Sequence, residues 1–210
     1  MHEHDHPHPH ATLPDADAPL TYHQRLEAAV RELLIARGVI SADDVRRTVE
    51  VVDSQTPALG AKVVARAWVD PAYKARLLAN GSAAVQELGI DMGQTKLVVV
   101  ENTPQVHNLI VCTLCSCYPR PVLGLPPDWY KSRNYRSRAI REPQAVLAEF
   151  GTTLPDGVAV RVHDSTADMR YLVLPLRPAG TEGLSEAELA ELVTRDSMIG
   201  VALARQPQPV

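Results

Sequence analysis

The sequence predicts an α+β fold in which an N-terminal helical arm precedes a layered α-β-β-α domain. Helical periodicity dominates residues 20–90, where apolar side chains recur three and four positions apart. Short apolar runs typical of buried strands follow, and the rest of the chain mixes strand patterns with short helical ones. An α+β chain is expected to have this order, with helices first and a mixed region afterwards. A chain of 210 residues that is 45% hydrophobic can also bury a core.

Start and stop signals place the helices. Leu26 and Val30 lie on one face of the first helix, and Gly38 stands where that helix should end. Ser185 and Glu188 have the spacing of a capping box, which begins the last predicted helix. The predicted helices are 21–38, 41–51, 70–78, 82–88, 127–131, 133–141, 143–150 and 185–194, and the predicted strands are 96–101, 106–111, 158–163 and 170–176.

Three segments are expected along the chain. Residues 1–19 are rich in His and Pro, with histidine at positions 2, 4, 6, 8 and 10, and this composition predicts a disordered tail. Imidazole binds divalent transition metals, so a metal-gathering role for the tail stays open beside an inert one. Residues 20–90 form the helical arm, and residues 91–210 form the α+β domain that carries all three cysteines.

The charge and hydropathy patterns exclude several classes of partner. The formal net charge is -4, and no basic stripe indicates binding to nucleic acid. The apolar stretches are too short to cross a bilayer, so no membrane association is expected. The N-terminus lacks the charged-then-apolar pattern of a signal peptide, which makes the cytoplasm the expected location.

The three cysteines lie close together at Cys112, Cys115 and Cys117. An odd number of cysteines in one short loop is a poor disulfide framework. A structural zinc site needs four side-chain ligands, and no second pair of cysteines exists in the sequence. On spacing alone, a metal site is favoured, while a redox dithiol and cysteines without a shared role stay open.

One arrangement would use all three sulfur atoms. The loop would wrap a metal ion so that two sulfurs and the deprotonated backbone nitrogens of Ser116 and Cys117 form a square plane, with the third sulfur on the axis. A sixth position would remain for water or substrate. Such strong-field ligands favour low-spin trivalent cobalt or iron over zinc.

Residues 111–118 resemble the metal-binding loop of nitrile hydratase α subunits. The resemblance extends over about residues 20–205, and Thr113 and Tyr118 are similar to the cobalt-type loop. It therefore implies Co3+, one per α subunit, with iron as the less favoured metal. The other matching segments are 101–104 (ENTP), 123–131 (LGLPPDWYK), 135–138 (YRSR), 141–143 (REP), 170–175 (RYLVLP), 180–183 (GTEG) and 193–201 (VTRDSMIGV).

The resemblance implies a role for each residue of the loop. Cys112 would be the axial thiolate, Cys115 the cysteine oxidised to sulfinate and Cys117 the one oxidised to sulfenate, while Ser116 and Cys117 would also donate backbone nitrogens. Cys115, Ser116 and Cys117 would thus be both metal ligands and catalytic residues in a domain that hydrates a nitrile to an amide. The metal would polarise the nitrile or acidify a water, and the sulfenate oxygen would act as nucleophile or general base.

The family also implies partners and a pocket. A β subunit would complete αβ or α2β2 assemblies and supply two arginines to the oxidised sulfurs. A metal-loading activator protein is a further candidate partner. The substrate would be a small-molecule nitrile. Trp129, Arg170 and Gln94 match family positions at the substrate channel or around the metal ligands. Arg120 stands where the family usually has tryptophan, which predicts a more polar pocket. The alternatives are the corresponding subunit of a thiocyanate hydrolase and a non-catalytic metal-carrying module.

Overall fold

The computed structural model describes residues 19–207, so the predicted tail, with its histidines at positions 2–10, lies outside the described part. The described chain forms two compact units, one up to Val49 and one from Glu50 on. The sequence change predicted near residue 90 coincides with the change from helices to mixed helices and strands. That residue 90 is a domain boundary stays a prediction.

Helices and short strands alternate in the order that the sequence predicted, and none of the helices within residues 19–207 is both long and apolar enough to cross a membrane. The strands are β1 (Lys96–Glu101), β2 (Val106–Val111), β3 (Ala159–Asp164) and β4 (Met169–Leu174). The helices are α1 (Tyr22–Ala36), α2 (Ala42–Ser54), α3 (Pro57–Val69), α4 (Pro71–Ala79), α5 (Gly81–Gln86), α6 (Arg120–Leu123), α7 (Asp128–Lys131), α8 (Arg133–Arg141), α9 (Pro143–Glu149), α10 (Glu186–Glu191) and α11 (Arg195–Ile199).

The first unit contains α1 and most of α2. Thr21 and Gln24 form a reciprocal capping box at the start of α1, which satisfies two backbone donors that the first turn leaves free. Neither helix has a buried residue. Leu26 and Val30 are therefore about half exposed, at 48% and 46%, and the apolar face of α1 has no core of its own to cover it.

Two small parallel sheets form the centre of the second unit. β1 pairs with β4, and β2 pairs with β3. The sheets pack against each other through β2 and β4, while α4 and α5 cover β1 and α8 and α9 cover β2 and β3. Leu97, Leu109 and Leu172 are almost completely buried between these layers. The predicted α+β class, with its α-β-β-α layering, is confirmed.

Helix α3 was not predicted by the apolar periodicity. It packs against α6, α10 and α11, and its buried residues include Val63, Val64 and Ala67. A helix that is apolar on most faces gives no clear polar stripe from which to recognise it. Gly60 permits the close packing, because a Cβ there would lie 2.7 Å from Met198 Sδ and 2.8 Å from the Val122 carbonyl oxygen.

Two further helices correct the sequence expectation. The region 112–128 was expected to be irregular, yet it contains α6. The last predicted helix ends at Glu191, and the separate helix α11 begins after a capping box formed by Thr194 and Ser197. The remaining predicted helices and strands are confirmed to within a few residues.

Gly200 brings the end of α11 against β2. Its φ of 92° lies in the left-handed region, and its carbonyl oxygen accepts a hydrogen bond from His107 Nε2 at 2.7 Å. A Cβ on Gly200 would lie 2.0 Å from the Asn108 carbonyl oxygen. The chain can therefore pass this close to β2 only with glycine at this position.

Replacing Gly200 with Ala is expected to lower the free energy of unfolding by about 2 kcal/mol or more, because it adds a backbone collision to a strained φ. Gly180→Ala is the matched control, since Gly180 also has a positive φ but open space around its Cβ direction. The control should cost only about 1 kcal/mol. Urea denaturation measures both losses. If Gly200→Ala and Gly180→Ala lowered the free energy of unfolding equally, the close approach of Gly200 to β2 would not be the reason for glycine at this position.

Candidate metal centre

The loop of residues 112–117, called here the cysteine claw, begins where β2 ends. The register pairs Val111 with Asp164, the last residues of β2 and β3. Because parallel strands end at the same edge of a sheet, the start of the claw lies beside the end of β3. Cys112 is buried at this edge, Cys117 is half-buried and Cys115 is exposed.

The three sulfur atoms converge. Cys112 Sγ lies 3.5 Å from Cys115 Sγ, which lies 3.2 Å from Cys117 Sγ. All three sulfurs are within 4.8 Å of one another. Among residues 19–207, these three cysteines form the cluster of side chains that could bind a metal ion. The cysteines are free thiols, so the predicted clustering is present without a disulfide.

Asp164 holds the first part of the claw. Its Oδ1 accepts a hydrogen bond from the Thr113 backbone N–H at 2.9 Å, and its Oδ2 accepts one from the Thr113 hydroxyl at 2.5 Å. The pairing of β2 with β3 brings the two residues together across 51 positions of the chain.

Two side chains from short helices hold carbonyl groups of the claw. The Tyr130 hydroxyl on α7 donates to the Cys117 carbonyl oxygen at 2.9 Å. The Arg136 guanidinium on α8 donates through Nη1 to the Cys115 carbonyl oxygen at 2.5 Å. Asp164, Tyr130 and Arg136, called here the three anchors, bind the loop without using a sulfur atom. None of them was singled out from the sequence as a site residue.

The thiols differ in how readily they lose a proton. Hydrogen bonds from the Cys117 and Cys112 side chains, and from the backbone amides of Ser116 and Cys117, lower the pKa of Cys115 to about 7. Burial and the hydrogen bond shared with Cys115 raise the pKa of Cys117 to about 12. The pair therefore gives up its first proton easily and retains the second. A cation bound between the sulfurs would favour thiolates.

A cavity of about 380 Å³ opens onto the claw. It is lined by Thr95, Cys115, Ser116, Cys117, Tyr118, Arg120, Pro121 and Arg170. Two of the four predicted pocket residues, Arg120 and Arg170, are therefore at the cavity. A larger groove of about 720 Å³ lies between α3 and α10, but none of its lining residues is a cysteine.

Arg170 is held by the connection between β3 and β4. Its Nη1 donates to the carbonyl oxygen of Thr166 and, at 3.0 Å, to that of Ala167. These bonds fix a half-buried positive charge at the wall of the cavity. Arg120 is exposed at the start of α6 and is not fixed in this way by any hydrogen bond found in residues 19–207.

The other two predicted pocket residues lie apart from the lining. Gln94 is exposed, and its neighbour Thr95 contributes to the cavity instead. Trp129 packs edge-on against Tyr135 and Phe150, with ring centroids 4.9 Å and 4.7 Å apart. It thus belongs to the aromatic cluster around the anchor Tyr130. Roles for Gln94 and Trp129 at the substrate stay predictions.

Comparison with known proteins identifies the family. The family described as nitrile hydratase, alpha chain, matches residues 21–202, which is most of the sequence. The chain belongs to the nitrile hydratase α-chain family. The match includes the claw and the residues that form the three anchors.

The individual proteins that this chain resembles differ in their metal and in their reaction. The α subunit of the low-molecular-weight cobalt-containing nitrile hydratase of Rhodococcus rhodochrous is 54% identical over 181 residues, covering 85% of this chain and 87% of that protein. A recombinant thiocyanate hydrolase comprising partially modified cobalt centres superposes with a TM-score of 0.84 at 42% identity, covering 91% of this chain and 97% of the other.

An iron enzyme shares the fold as well. A double mutant of the Fe-type nitrile hydratase from Comamonas testosteroni Ni1 has a TM-score of 0.82 at 44% identity and covers 90% of this chain and 94% of its own. Backbone similarity therefore assigns this chain to the family but does not choose between cobalt and iron.

Replacing Asp164 with Ala is expected to loosen the claw, because Thr113 loses the acceptor for both of its hydrogen bonds. The free energy of unfolding should fall by only about 1 kcal/mol, since the contact is exposed to solvent. Amide hydrogen exchange of residues 112–118, measured by mass spectrometry, should become faster. Asp168→Ala, an exposed change on the same β3–β4 connection, should leave that exchange unchanged. Wild-type exchange in Asp164→Ala would contradict the anchoring role.

Proposed function

We propose that this chain is the metal-binding α subunit of a cobalt-type nitrile hydratase, which hydrates a nitrile to the corresponding amide. The observation that carries the proposal is the convergence of three sulfur atoms within 4.8 Å of one another, with Cys115 and Cys117 lining an open cavity and Cys112 buried beside them. The family match over residues 21–202 gives that convergence a chemical meaning.

The donor set fits a trivalent ion of this kind. Thiolates are soft, strong-field ligands. The backbone amides of Ser116 and Cys117 help to lower the pKa of the Cys115 thiol, so both nitrogens lie close to that sulfur. In the proposal, Cys112, Cys115 and Cys117 would supply sulfur, and Ser116 and Cys117 would supply backbone nitrogen.

The neighbouring polar groups also suit added oxygen atoms. Tyr118 Oη and Arg136 Nε are buried and have no hydrogen-bond partner within residues 19–207. Both residues contact or adjoin the claw. Cys115 as sulfinate and Cys117 as sulfenate would place new acceptors in this region, and two arginines from a β subunit would supply further donors.

Cobalt is favoured over iron by Thr113 and Tyr118. The Thr113 hydroxyl donates to Asp164, and Tyr118 is buried with its ring against Tyr130. Both residues follow the cobalt-type pattern of the loop, and the Rhodococcus relative named above contains cobalt. The Fe-type structure keeps iron as the second choice of metal.

The residues of the cavity define the chemistry of the chain. When bound, the metal supplies Lewis acidity toward the nitrile or toward water. The sulfenate oxygen of Cys117 would act as nucleophile or general base, and the positive charge of Arg170 at the cavity wall would favour the anionic form of Cys117. Tyr118 and Pro121 also line the cavity.

The proposal includes the partners and the compartment. Cys115 is exposed in this chain alone, and a β subunit that forms αβ or α2β2 assemblies would close the cavity above it. A metal-loading activator is a further candidate partner. Clustered thiols that must receive a metal before they are oxidised suit the cytoplasm, where disulfides are rare.

Co-expression with the β subunit tests the proposal directly. Metal analysis should find about one cobalt per α chain, and intact mass should show three added oxygen atoms, because a sulfinate adds two and a sulfenate adds one. The protein should hydrate a simple nitrile. Cys115→Ala should remove both the added mass and the hydration. Zinc bound to unmodified thiols in the wild-type protein would contradict the proposal.

A thiocyanate hydrolase-like activity is the second candidate. One observation favours it: Arg120 and Arg170 both line the claw cavity, which gives the cavity two positive charges and makes it suitable for an anion. A structurally similar chain belongs to a thiocyanate hydrolase. The same cavity would also prefer polar nitriles over purely aliphatic ones.

Arg120→Trp tests this preference. Removing the exposed charge is expected to lower kcat/KM for thiocyanate or an anionic nitrile, relative to a small aliphatic nitrile, by roughly fivefold, because an exposed charge contributes about 1 kcal/mol. Arg120→Lys keeps the charge and should keep most of the preference. An unchanged ratio in Arg120→Trp would show that Arg120 does not select the substrate.

A further inference from the structure

Arg136 contacts the claw from a helix that is firmly placed. Ser132 caps α8 by accepting a hydrogen bond from the Tyr135 backbone N–H at 3.1 Å. The Tyr135 hydroxyl donates to the Ile110 carbonyl oxygen of β2 at 2.6 Å. Arg136 follows Tyr135 directly, so its guanidinium is fixed relative to the end of β2, from which the claw begins.

The carbonyl that Arg136 binds belongs to an unusual peptide group. The Cys115 carbonyl and the Ser116 nitrogen are parts of the same amide. If that nitrogen becomes a metal ligand, a metal–nitrogen bond replaces the N–H bond and the proton leaves to water. The negative charge left on the amide is shared between its nitrogen and the Cys115 oxygen, because the two are conjugated.

The other anchors do not contact a ligand amide. Tyr130 binds the Cys117 carbonyl, whose peptide partner is the nitrogen of Tyr118. Asp164 is an acceptor and binds Thr113. Within the part of the chain that the structure describes, Arg136 is thus the anchor that places a positive charge on a peptide group of the proposed ligand set.

We propose that Arg136 is a positioning residue for the metal, which stabilises the metal-bound claw through the hydrogen bond from its Nη1 to the Cys115 carbonyl oxygen. A charge-assisted hydrogen bond is stronger than a neutral one and becomes stronger again when its acceptor gains negative charge. The contact is therefore worth more with metal bound than without it. This inference rests on the proposed function, since it requires the Ser116 nitrogen as a ligand.

Three variants of the α chain, each co-expressed with the β subunit, test the proposal. Arg136→Gln keeps a hydrogen-bond donor but removes the charge, and Arg136→Lys keeps the charge. Arg138→Gln is the matched control, because Arg138 lies on the same helix but pairs with Glu142 and Glu149 instead of the claw. Cobalt loss to a chelator, the visible sulfur-to-cobalt absorption band and the thermal unfolding of metal-free protein are measured for each.

Arg136→Gln is expected to lose cobalt about 10- to 100-fold faster than wild type and to shift the absorption band, as is typical when a residue that supports a metal ligand is changed. Arg136→Lys should recover most of the retention. Arg138→Gln should retain cobalt as wild type does. If Arg136→Gln lowers the unfolding temperature of the metal-free chain but retains cobalt with an unchanged band, Arg136 is a structural anchor only and the proposal is wrong.

The wild-type protein separates this inference from the proposed function. If the wild-type chain takes up no cobalt, the proposed function itself fails. If it takes up cobalt and Arg136→Gln binds it equally well, only the role of Arg136 is overturned. Should Arg136→Gln not fold, Arg136→Lys decides the matter, because cobalt loss from the lysine variant at the rate of wild type supports the charge and loss tenfold faster contradicts it.

Discussion

The candidate metal centre depends on the parallel register of β2 and β3. Pairing Val111 with Asp164 places the first residues of the claw beside a carboxylate that accepts two hydrogen bonds from Thr113. A shift of one residue in this register would turn every side chain of the strand to the opposite face. Hydrogen bonds of buried polar residues oppose such a shift, because Asn108 Oδ1 lies 2.8 Å from His163 Nε2 of β3 and His107 Nε2 donates to the Gly200 carbonyl oxygen at 2.7 Å. The packing of the sheets thereby fixes where the metal ligands begin.

The surrounding layers extend this constraint to the rest of the loop. Helix α8 is tied to β2 through Tyr135, and it delivers Arg136 to the claw. Helix α7 delivers Tyr130, whose ring packs against Tyr118 with centroids 5.0 Å apart. Each contact joins a short helix to an irregular segment that has no regular hydrogen-bonding pattern of its own. The claw therefore takes its shape from neighbouring elements rather than from local secondary structure.

The sequence predicted the centre of the site better than its supports. The cysteine cluster could be recognised because its members are within six positions of one another, and family resemblance gave it a specific chemistry. Asp164 and Arg136 act on the claw across 51 and 21 positions, and no local pattern reports such pairs. Gln94 and Thr95 lie in the turn just before β1, where no side-chain periodicity predicts which of the two faces the cavity. Helix α3 was missed because only Lys62 and Arg66 are charged on its exposed face, where Ala58 and Val69 are apolar.

The three anchors bind carbonyl oxygens and one threonine, and none of them binds a sulfur atom. The loop conformation is consequently supported by contacts that do not involve the sulfur atoms themselves. In a zinc finger, by contrast, the ion must also organise the chain, so apoprotein and unfolded protein are nearly the same species. Here the three anchors contribute to ordering the loop through its backbone and Thr113. A bound ion would therefore not have to supply all of the ordering of the claw, as it does in a zinc finger.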